Sequence, residues 1–364
     1  MIRSITLAIL KTCAVARTIS NEEMALALRA LPTAVETPDH IPVLLDEVLD
    51  HLSPQPGGTY VDGTFGRGGH TSALLERIGP TGRVIALDRD PQAIAAGAAR
   101  VAASAGRLTL VHARFGELAD VLAREAVTHV DGILLDLGVS SPQLDEAARG
   151  FSFTRSGPID MRMDPSRGPT ALELIGELTQ QELAGVLREL GEERLHQRIS
   201  RRLKEAERAG ELATTLDLAS VVAGCFSAGE VRRMRIHPAT RTFQALRIAV
   251  NRELDELAAF LDGFPDLLAP GGRCVVISFH SLEDRLVKRR FRDLAWTSSL
   301  PPHLAAQAGE RVHAVCTPVT RKAVFADDDE TDDNPRARSA RLRACQRTDA
   351  PNLPANARHP KGHS

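Results

Sequence analysis

Thr59-Tyr60-Val61-Asp62-Gly63-Thr64-Phe65-Gly66-Arg67-Gly68-Gly69-His70-Thr71 is the stretch on which the fold turns. Thr59 to Asp62 reads as a short strand, rich in the β-branched and aromatic residues that strands favour. Glycines at 63, 66, 68 and 69 follow it, and Thr71 to Ile78 has helical spacing. A strand that runs through a glycine-rich turn into a helix brings backbone close to any ligand and leaves N–H groups free at the helix start. A dinucleotide turn requires G-x-G-x-x-G. Gly66 and Gly68 fit that spacing, but the third position is Thr71.

Outward from this turn the same unit repeats. Before it, Val43 to Leu52 has helical spacing and Pro54 to Gly58 breaks the chain. After it, Gly82 to Asp88 reads as a second strand and Pro91 to Ala103 as an Ala-rich helix with proline at its start. Leu108 to His112 reads as a third strand, Phe115 to Arg124 as a helix, and Val130 to Asp136 as a fourth strand apolar enough to be buried on both faces. Such alternation specifies an α/β fold with a doubly wound parallel sheet, whose ligands sit at the carboxyl ends of the strands.

The residues just past each strand are therefore the candidates. The departure at Thr71 speaks against a pyrophosphate and suits a ligand without phosphate, such as S-adenosylmethionine. Asp88 ends the second strand, where a carboxylate accepts hydrogen bonds from ribose hydroxyls. Phe115, beyond the third strand, either stacks on an adenine or packs in the core. Asp136 opens Asp136-Leu137-Gly138-Val139-Ser140-Ser141-Pro142-Gln143. That segment is either an acceptor set aimed at a target NH2 group or the turn that Ser and Pro commonly form.

The pattern changes after Leu144. Residues 145–170 are loop-like, Ala171 to about Ala223 is helical and charged, and a long helix is expected from Pro238 to about Leu261. The sheet resumes at Arg273 to Phe279, with weaker strands near Val312 to Val319 and Ala340 to Cys345. So long a strandless stretch is no ordinary connection. The expected layout is an N-terminal extension at 1–39, a sheet domain at 40–144 and 246–347 interrupted by a helical substrate domain at 145–245, and a disordered tail at 348–364. The acidic run Asp327 to Asp333 is expected to be a solvated loop.

Composition sets limits. A net charge of −2 over 364 residues excludes a wholly basic nucleic-acid coat. Local clusters remain: Arg198-Arg201-Arg202-Lys204, Arg232-Arg233-Arg235-His237-Arg241, Arg285-Lys288-Arg289-Arg290-Arg292 and Arg336-Arg338-Arg341-Arg343. Four such clusters in a near-neutral chain favour an RNA partner over solvated faces. The five cysteines, Cys13, Cys225, Cys274, Cys316 and Cys345, include no C-x-x-C pair, which fits a reducing compartment rather than a disulfide framework or zinc site. His70, His237 and His280 share no metal-ligand spacing. No apolar run is long enough for a bilayer. Met1 to Ser20 carries Arg3, Lys11 and Arg17 without an acid, so it reads either as an extension of a cytoplasmic protein or as a mitochondrial address; the lack of a small-residue cleavage site favours the former.

These residues resemble the bacterial ribosomal RNA small subunit methyltransferase H family, the cytosine N4-methyltransferases. The resemblance rests on His40 to Glu47, Asp62 to His70, Ala86 to Pro91, Leu134 to Leu144, Gly150 to Phe153, Asp160 to Asp164, Gly191 to Arg194, His237 to Gln244, Ser278 to Lys288 and Asn334 to Ser339. It implies a class I S-adenosylmethionine methyltransferase fold, Rossmann-like, with a helical insertion. It implies S-adenosylmethionine held by Gly68, Gly69, His70, Asp88, Phe115, Asp136 and Gln143. It also implies the substrate, the N4 amine of a decoding-centre cytosine in 16S ribosomal RNA within the small subunit. Two other readings compete: a nicotinamide-dependent oxidoreductase, against which Thr71 speaks, and a non-catalytic ribosome assembly factor, against which the intact Gly68, Gly69, Asp88 and Asp136 speak. Methylation at C5 of cytosine would need a cysteine nucleophile beside the methyl donor. Asp136 to Leu144 contains none, so direct transfer to the amine, positioned by Asp136 and nearby carbonyls, is the expected chemistry.

Overall fold

The computed structural model describes residues 42–295, 300, 304, 307, 308 and 314–351. The expected extension and nearly all of the expected tail lie outside these residues. Helix α1 (Leu45–Leu52) leads into β1 (Thr59–Asp62), α2 (Gly69–Arg77), β2 (Arg83–Asp88), α3 (Pro91–Ala103) and β3 (Leu108–His112). A 3-10 turn at Phe115–Glu117, α4 (Leu118–Arg124) and β4 (Val130–Asp136) complete this half. Later come β5 (Leu268–Ser278), β6 (Cys316–Pro318) and β7 (Arg341–Arg347). The sheet runs β3-β2-β1-β4-β5-β7-β6; β3 to β5 are parallel, while β7 is antiparallel to β5 and β6 antiparallel to β7. Strand order reverses between β1 and β4, which opens a crevice at their carboxyl ends. This is the class I methyltransferase arrangement of a doubly wound sheet.

Period-two alternation sorts the strand side chains into two cores. Val61, Ile85, Ile133, Leu135 and Val276 face one side, covered by Leu118, Val121, Phe260, Phe264, Val287 and Phe291. Tyr60, Val84, Ala86, Leu134, Val275 and Ile277 face the other, covered by Val48, Leu52, Leu74 and Ile78. Both faces are covered, so the central strands read as continuous apolar runs.

Between β4 and β5 the described chain has no strand. It forms α5 (Ser141–Asp145), α6 (Ala171–Glu177), α7 (Gln180–Gly191), α8 (His196–Arg208), α9 (Thr215–Ala223), α10 (Ala228–Arg233), α11 (Thr240–Asn251) and α12 (Glu253–Leu267). Four of them, α6, α7, α9 and α10, start where the sequence supplies reciprocal caps: Thr170 with Glu173, Thr179 with Glu182, Thr214 with Asp217 and Ser227 with Glu230. Helices α6 to α9 and α11 enclose a core of their own, including Ile175, Leu187, Ile199, Leu203, Leu218, Phe243 and Leu246. After β5 comes α13 (Ser281–Leu294).

Two expectations are corrected. The single long helix from Pro238 is two helices, broken at Arg252, whose φ is 51°. Asn251, the last residue of the first, is held from outside the helix. Its buried amide donates to Met161 O (2.7 Å) and Arg247 O (2.9 Å), and its Oδ1 accepts from Met163 N (2.8 Å). The acidic run is not a loop but helix α14 (Asp328–Asp333), and Glu330 Oε1 accepts from Leu44 N at 2.7 Å. Leu44 is left-handed (φ 53°), which turns its N–H away from the helix it precedes. No helix among the described residues is long and apolar enough to cross a membrane.

Asn251→Ala leaves the Met163 N–H and the Met161 carbonyl buried without partners. The expected loss is about 2–4 kcal/mol of stability, read as a fall in the urea midpoint; a loss below about 1 kcal/mol would show that the break at Arg252 does not depend on this amide.

Candidate active site

The site is built where β1, β2 and β4 end. Asp62 is buried, and its Oδ2 accepts from the Thr71 hydroxyl at 2.6 Å while Oδ1 accepts from Thr64 N at 3.1 Å. Thr71, the residue that breaks the dinucleotide pattern, is thus committed to a buried carboxylate. Burial pushes the Asp62 carboxyl above its usual range, against the lowering effect of Thr71, His70 and Thr64. The Thr64 hydroxyl accepts from Asp136 N at 2.7 Å, which fixes the β1 turn to the end of β4.

Gly66 takes φ 53° and donates its N–H to Asp88 Oδ2 at 2.7 Å; a Cβ there would find nothing but Thr64 O at 3.9 Å. This side of the turn is open rather than packed. Asp88 Oδ1 accepts from Asp90 N at 2.8 Å. Burial pushes the Asp88 carboxyl up to about 6, against its bonds from Asp90 and Gly66 and with help from the charges of Asp90 and Asp62.

His70 lies in the first turn of α2, buried, with Nε2 3.6 Å from Asp136 Oδ2. Burial alone would lower its pKa, but Asp136, Asp62 and Glu330 outweigh it and hold the imidazole above its usual value. Both ring nitrogens of His70 and Oδ1 of Asp136 are buried without a hydrogen-bond partner in the chain. Buried polar atoms rarely go unpaired, so these mark the place of a ligand. Asp62, Asp88 and Asp136 make the crevice negative. That repels a pyrophosphate and suits a ligand carrying positive charge, such as an ammonium or sulfonium group.

The other sequence candidates divide. Gly68 precedes α2 at φ 76°, where a side chain would strike the Phe65 ring at 2.7 Å. Gly69 packs on Pro42, whose Cγ a Cβ would meet at 2.4 Å. Phe115 is buried in the core, edge-on to Phe260 (6.1 Å), and a Cβ on Gly63 would lie 3.2 Å from its Cβ. Gln143 is spent within the chain: Oε1 accepts from Ser140 N (3.0 Å) and Nε2 donates to Asp90 Oδ2 (2.9 Å). The turn reading of that segment is thus realised alongside the acceptor at Asp136. Arg149 also reaches Asp90 Oδ2, at 2.8 Å. Sequence reasoning missed Thr64, Arg149 and Glu330, whose partners Asp136, Asp90 and Leu44 are distant in the chain, and it missed what the Thr71 and Asp90 side chains hold.

The basic clusters also divide. Lys204 is buried and donates to Ile175 O and Gly176 O (2.7 and 2.8 Å), while Arg202 pairs with Glu205 (2.7 Å). Arg343 pairs with Asp284 (2.6 Å), Arg285 with Glu192 (3.0 Å), and Arg290 donates to Leu261 O (2.8 Å). Lys204, Arg290 and Arg343 serve the fold, while Arg202 and Arg285 are paired at the surface. Arg232 and Arg235 are exposed and form no ion pair among the described residues; Arg233 donates only to Gly229 O (3.0 Å). Among the described residues, His280 meets Glu253 and Glu283 in one cluster; there Arg247 pairs with Glu253 at 2.8 and 2.9 Å, and Glu283 Oε1 lies 3.1 Å from His280 Nε2.

Comparison with known proteins places this geometry in context. The family model described as the MraW methylase family matches residues 37–348. The chain is similar to the ribosomal RNA small subunit methyltransferase H of Sorangium cellulosum, 51% identical over 308 residues, 85% of this chain and 90% of that protein. It is 52% identical over 309 residues to the same enzyme of Anaeromyxobacter sp. (strain K), covering 85% of this chain and 97% of that one. It is 49% identical over 317 residues to that of Methylobacillus flagellatus, 86% of this chain and 96% of that one.

The raised Asp88 carboxyl has a consequence for stability. Between the ordinary carboxylate range and about 6, the folded chain holds this proton and the unfolded chain does not. Stability from this group is therefore fully present at low pH and is lost as pH rises through that window. Comparing wild type with Asp88→Ala by chemical denaturation from pH 4 to pH 7, the wild type is expected to lose on the order of 1–2 kcal/mol relative to the variant as pH rises. A difference independent of pH would show that the carboxyl is not raised.

Proposed function

The chain belongs to the MraW methylase family, and on that footing we propose that it transfers a methyl group from S-adenosylmethionine to the N4 amine of a decoding-centre cytosine in small-subunit ribosomal RNA. The observation that carries the reading is the negative crevice at the β1/β4 reversal, where His70 Nε2 lies 3.6 Å from Asp136 Oδ2 and where His70 Nδ1 and Asp136 Oδ1 are buried without a hydrogen-bond partner in the chain. When bound, S-adenosylmethionine supplies a methyl already made electrophilic by its positive sulfonium. Asp88 holds ribose hydroxyls, and the turn, open at Gly66, leaves backbone room beside them. Asp62, Asp88 and Asp136 offset the ligand's positive charge. Phe115 lines the floor beneath Gly63. Gln143 acts one step removed, by fixing Asp90 and through it the Asp88 loop.

Asp136 has the second task. Its backbone N–H is fixed by Thr64, so its free Oδ1 points from a rigid strand end and accepts a hydrogen bond from the amine. Holding the amine nitrogen in line at about 3–3.5 Å from the methyl supplies much of the rate. The cysteines support amine transfer over a C5 mechanism. Cys225, Cys274, Cys316 and Cys345 are all buried, and burial pushes the Cys274 and Cys345 thiols well above their ordinary range. Burial likewise raises the Cys225 thiol, and a buried thiol is not placed to attack a base; Cys13 lies outside the described residues. The similarly named relatives support ribosomal RNA as the substrate, and the unpaired Arg232 and Arg235 offer positive charge to it.

Labelled methyl transfer onto unmodified small subunits, followed by mass mapping, is expected to give N4-methylcytidine. Replacing all five cysteines by Ser or Ala is expected to keep turnover within about tenfold, near 1.4 kcal/mol of barrier. A C5 product, or a trapped RNA–cysteine adduct, would overturn the amine mechanism.

Neutralising Arg232, Arg233 and Arg235 together is expected to weaken subunit binding and to lower the slope of log affinity against log salt by about two to three. An unchanged slope would assign these arginines to a solvated face.

A further inference from the structure

His237 is absorbed by neither the fold nor the methyl-transfer site. It is exposed, yet its ring stacks on half-buried Phe153, centroids 4.6 Å apart and planes 27° apart. Phe153 is braced in turn edge-on by Phe243, at 4.9 Å and 71°. An exposed ring held parallel on a braced aromatic is a rigid platform. Its chemistry is also fixed. His237 Nδ1 accepts from Ala239 N at 3.2 Å, so in the neutral ring the proton sits on Nε2, away from the backbone. The platform therefore offers a flat face and one N–H donor.

Its surroundings point to one kind of partner. Ile236 and Val231 beside it are among the few large apolar side chains left exposed, at 50% and 38%. Arg194, Arg198, Arg232 and Arg235 are exposed without ion pairs among the described residues. The charges of Arg194 and Arg198 reach Glu230 on α10, the helix that also carries Arg232 and Arg233. Glu230, whose Oε2 accepts from the Ser227 N–H and hydroxyl at 2.8 Å, stays ionised and offsets one positive charge, which leaves the group of arginines net positive. Uncompensated arginines repel one another, and a polyanion relieves that repulsion. Aromatic platforms flanked by arginines are how proteins hold single-stranded nucleic acid, because every base has a stackable face.

The platform is joined to the active site. Arg241, four residues beyond His237, donates to Glu192 O at 3.0 Å, and the Glu192 carboxylate accepts from Ser281 at 3.0 Å and Arg285 at 3.0 Å. Ser281 begins α13 just past β5, and Phe279 lies against Gly138, two residues beyond Asp136. A chain of contacts thus links the strand end that carries Asp136 to the start of the helix that follows His237.

We propose that His237, seated on Phe153, is the stacking platform for the base of a nucleotide flanking the target cytosine, with Arg194, Arg198, Arg232 and Arg235 holding the adjoining phosphates. The inference rests on the RNA methyltransferase reading and adds to it a single-strand clamp that positions the target through its neighbour. The base is read by its face, while the Nε2–H, which lies in the ring plane, points past the stacked base toward a sugar or phosphate oxygen beside it.

The test uses the full chain with His237→Ala, which removes the platform, and His237→Phe, which keeps the ring and loses the donor. Melting temperature and S-adenosylmethionine affinity matching wild type establish that each variant is folded. On unmodified small subunits, His237→Ala is expected to raise KM for the RNA by about fivefold to a hundredfold, the range for loss of one stacked base, and His237→Phe to recover most of it. A single-stranded RNA oligomer of the target region, carrying 2-aminopurine at each flanking position in turn, gives a readout besides activity. One position is expected to change its fluorescence on binding wild type and His237→Phe, and not on binding His237→Ala. If wild type is active and KM for His237→Ala stays within about twofold, or if no flanking position responds, the stacking inference falls alone. A wild-type chain that methylates no subunits brings down the reading on which it rests.

Discussion

The buried carboxylate of Asp62 is the constraint on which the crevice depends. A charge without water is costly unless hydrogen bonds replace its solvation. Thr71 and Thr64 supply those bonds from the helix and the turn that follow β1. Because Thr64 also accepts from Asp136 N, the same few atoms set the distance between the two strands at which the sheet reverses. A packed apolar turn would hold β1 against α2 equally well. It would not leave an acceptor at the end of β4 rigidly placed and unpaired. The glycines matter for the complementary reason: at Gly66 the positive φ brings an N–H onto Asp88 and leaves the space beyond it open.

A second buried pair ties the helical segment to this crevice. Arg149 meets Asp90 at 2.8 Å with both side chains nearly inaccessible, and its other nitrogen donates to Met163 O at 2.9 Å. Gln143 shares the same Asp90 oxygen. Such a pair contributes little net stability, yet breaking it costs about 3–5 kcal/mol because a charge is left stranded. Its value is placement. Asp90 both caps α3 and donates its backbone N–H to Asp88, so the loop that carries Asp88 is held from the helical side. Arg89, between them, reaches Glu256 at 2.9 Å and Asn251 O at 2.7 Å, at the break between α11 and α12. The segment between β4 and β5 is thus braced against the residues that form the pocket.

Charge is segregated by this architecture. The net charge of −2 conceals a crevice of carboxylates at the strand ends and a face of unpaired arginines around α10. The two suit different guests, a small cationic ligand and a polyanion. A polyanion is turned away from the crevice except where a neutral base enters it, which agrees with a substrate held by its backbone and reacted at one base.

Much of this was written locally. The strand–glycine–helix unit around Asp62 to Gly69, the capped start of α3 at Asp90-Pro91, and the strands ending at Asp88 and Asp136 follow from periodicity, glycine placement and proline. The helix-rich character of the chain past Leu144 was equally legible. What the sequence could not show were relations between distant residues. Whether Asp327 to Asp333 is loop or helix depends on Leu44 presenting an N–H to Glu330. That the amide of Asn251, the last residue of α11, lies across from Met161 and Met163 was equally hidden. That Phe115 sets one edge against Phe260 and its Cβ beneath Gly63 was likewise not written in its position past β3. Lys204 looked like its arginine neighbours until α6 offered it two carbonyls. Residue type and spacing determined which elements form and which acids stand at strand ends, because those are short-range effects of backbone geometry. Which polar groups are consumed by the fold and which remain free for a ligand was decided by tertiary structure alone, because pairing depends on partners that the chain meets only once it has folded.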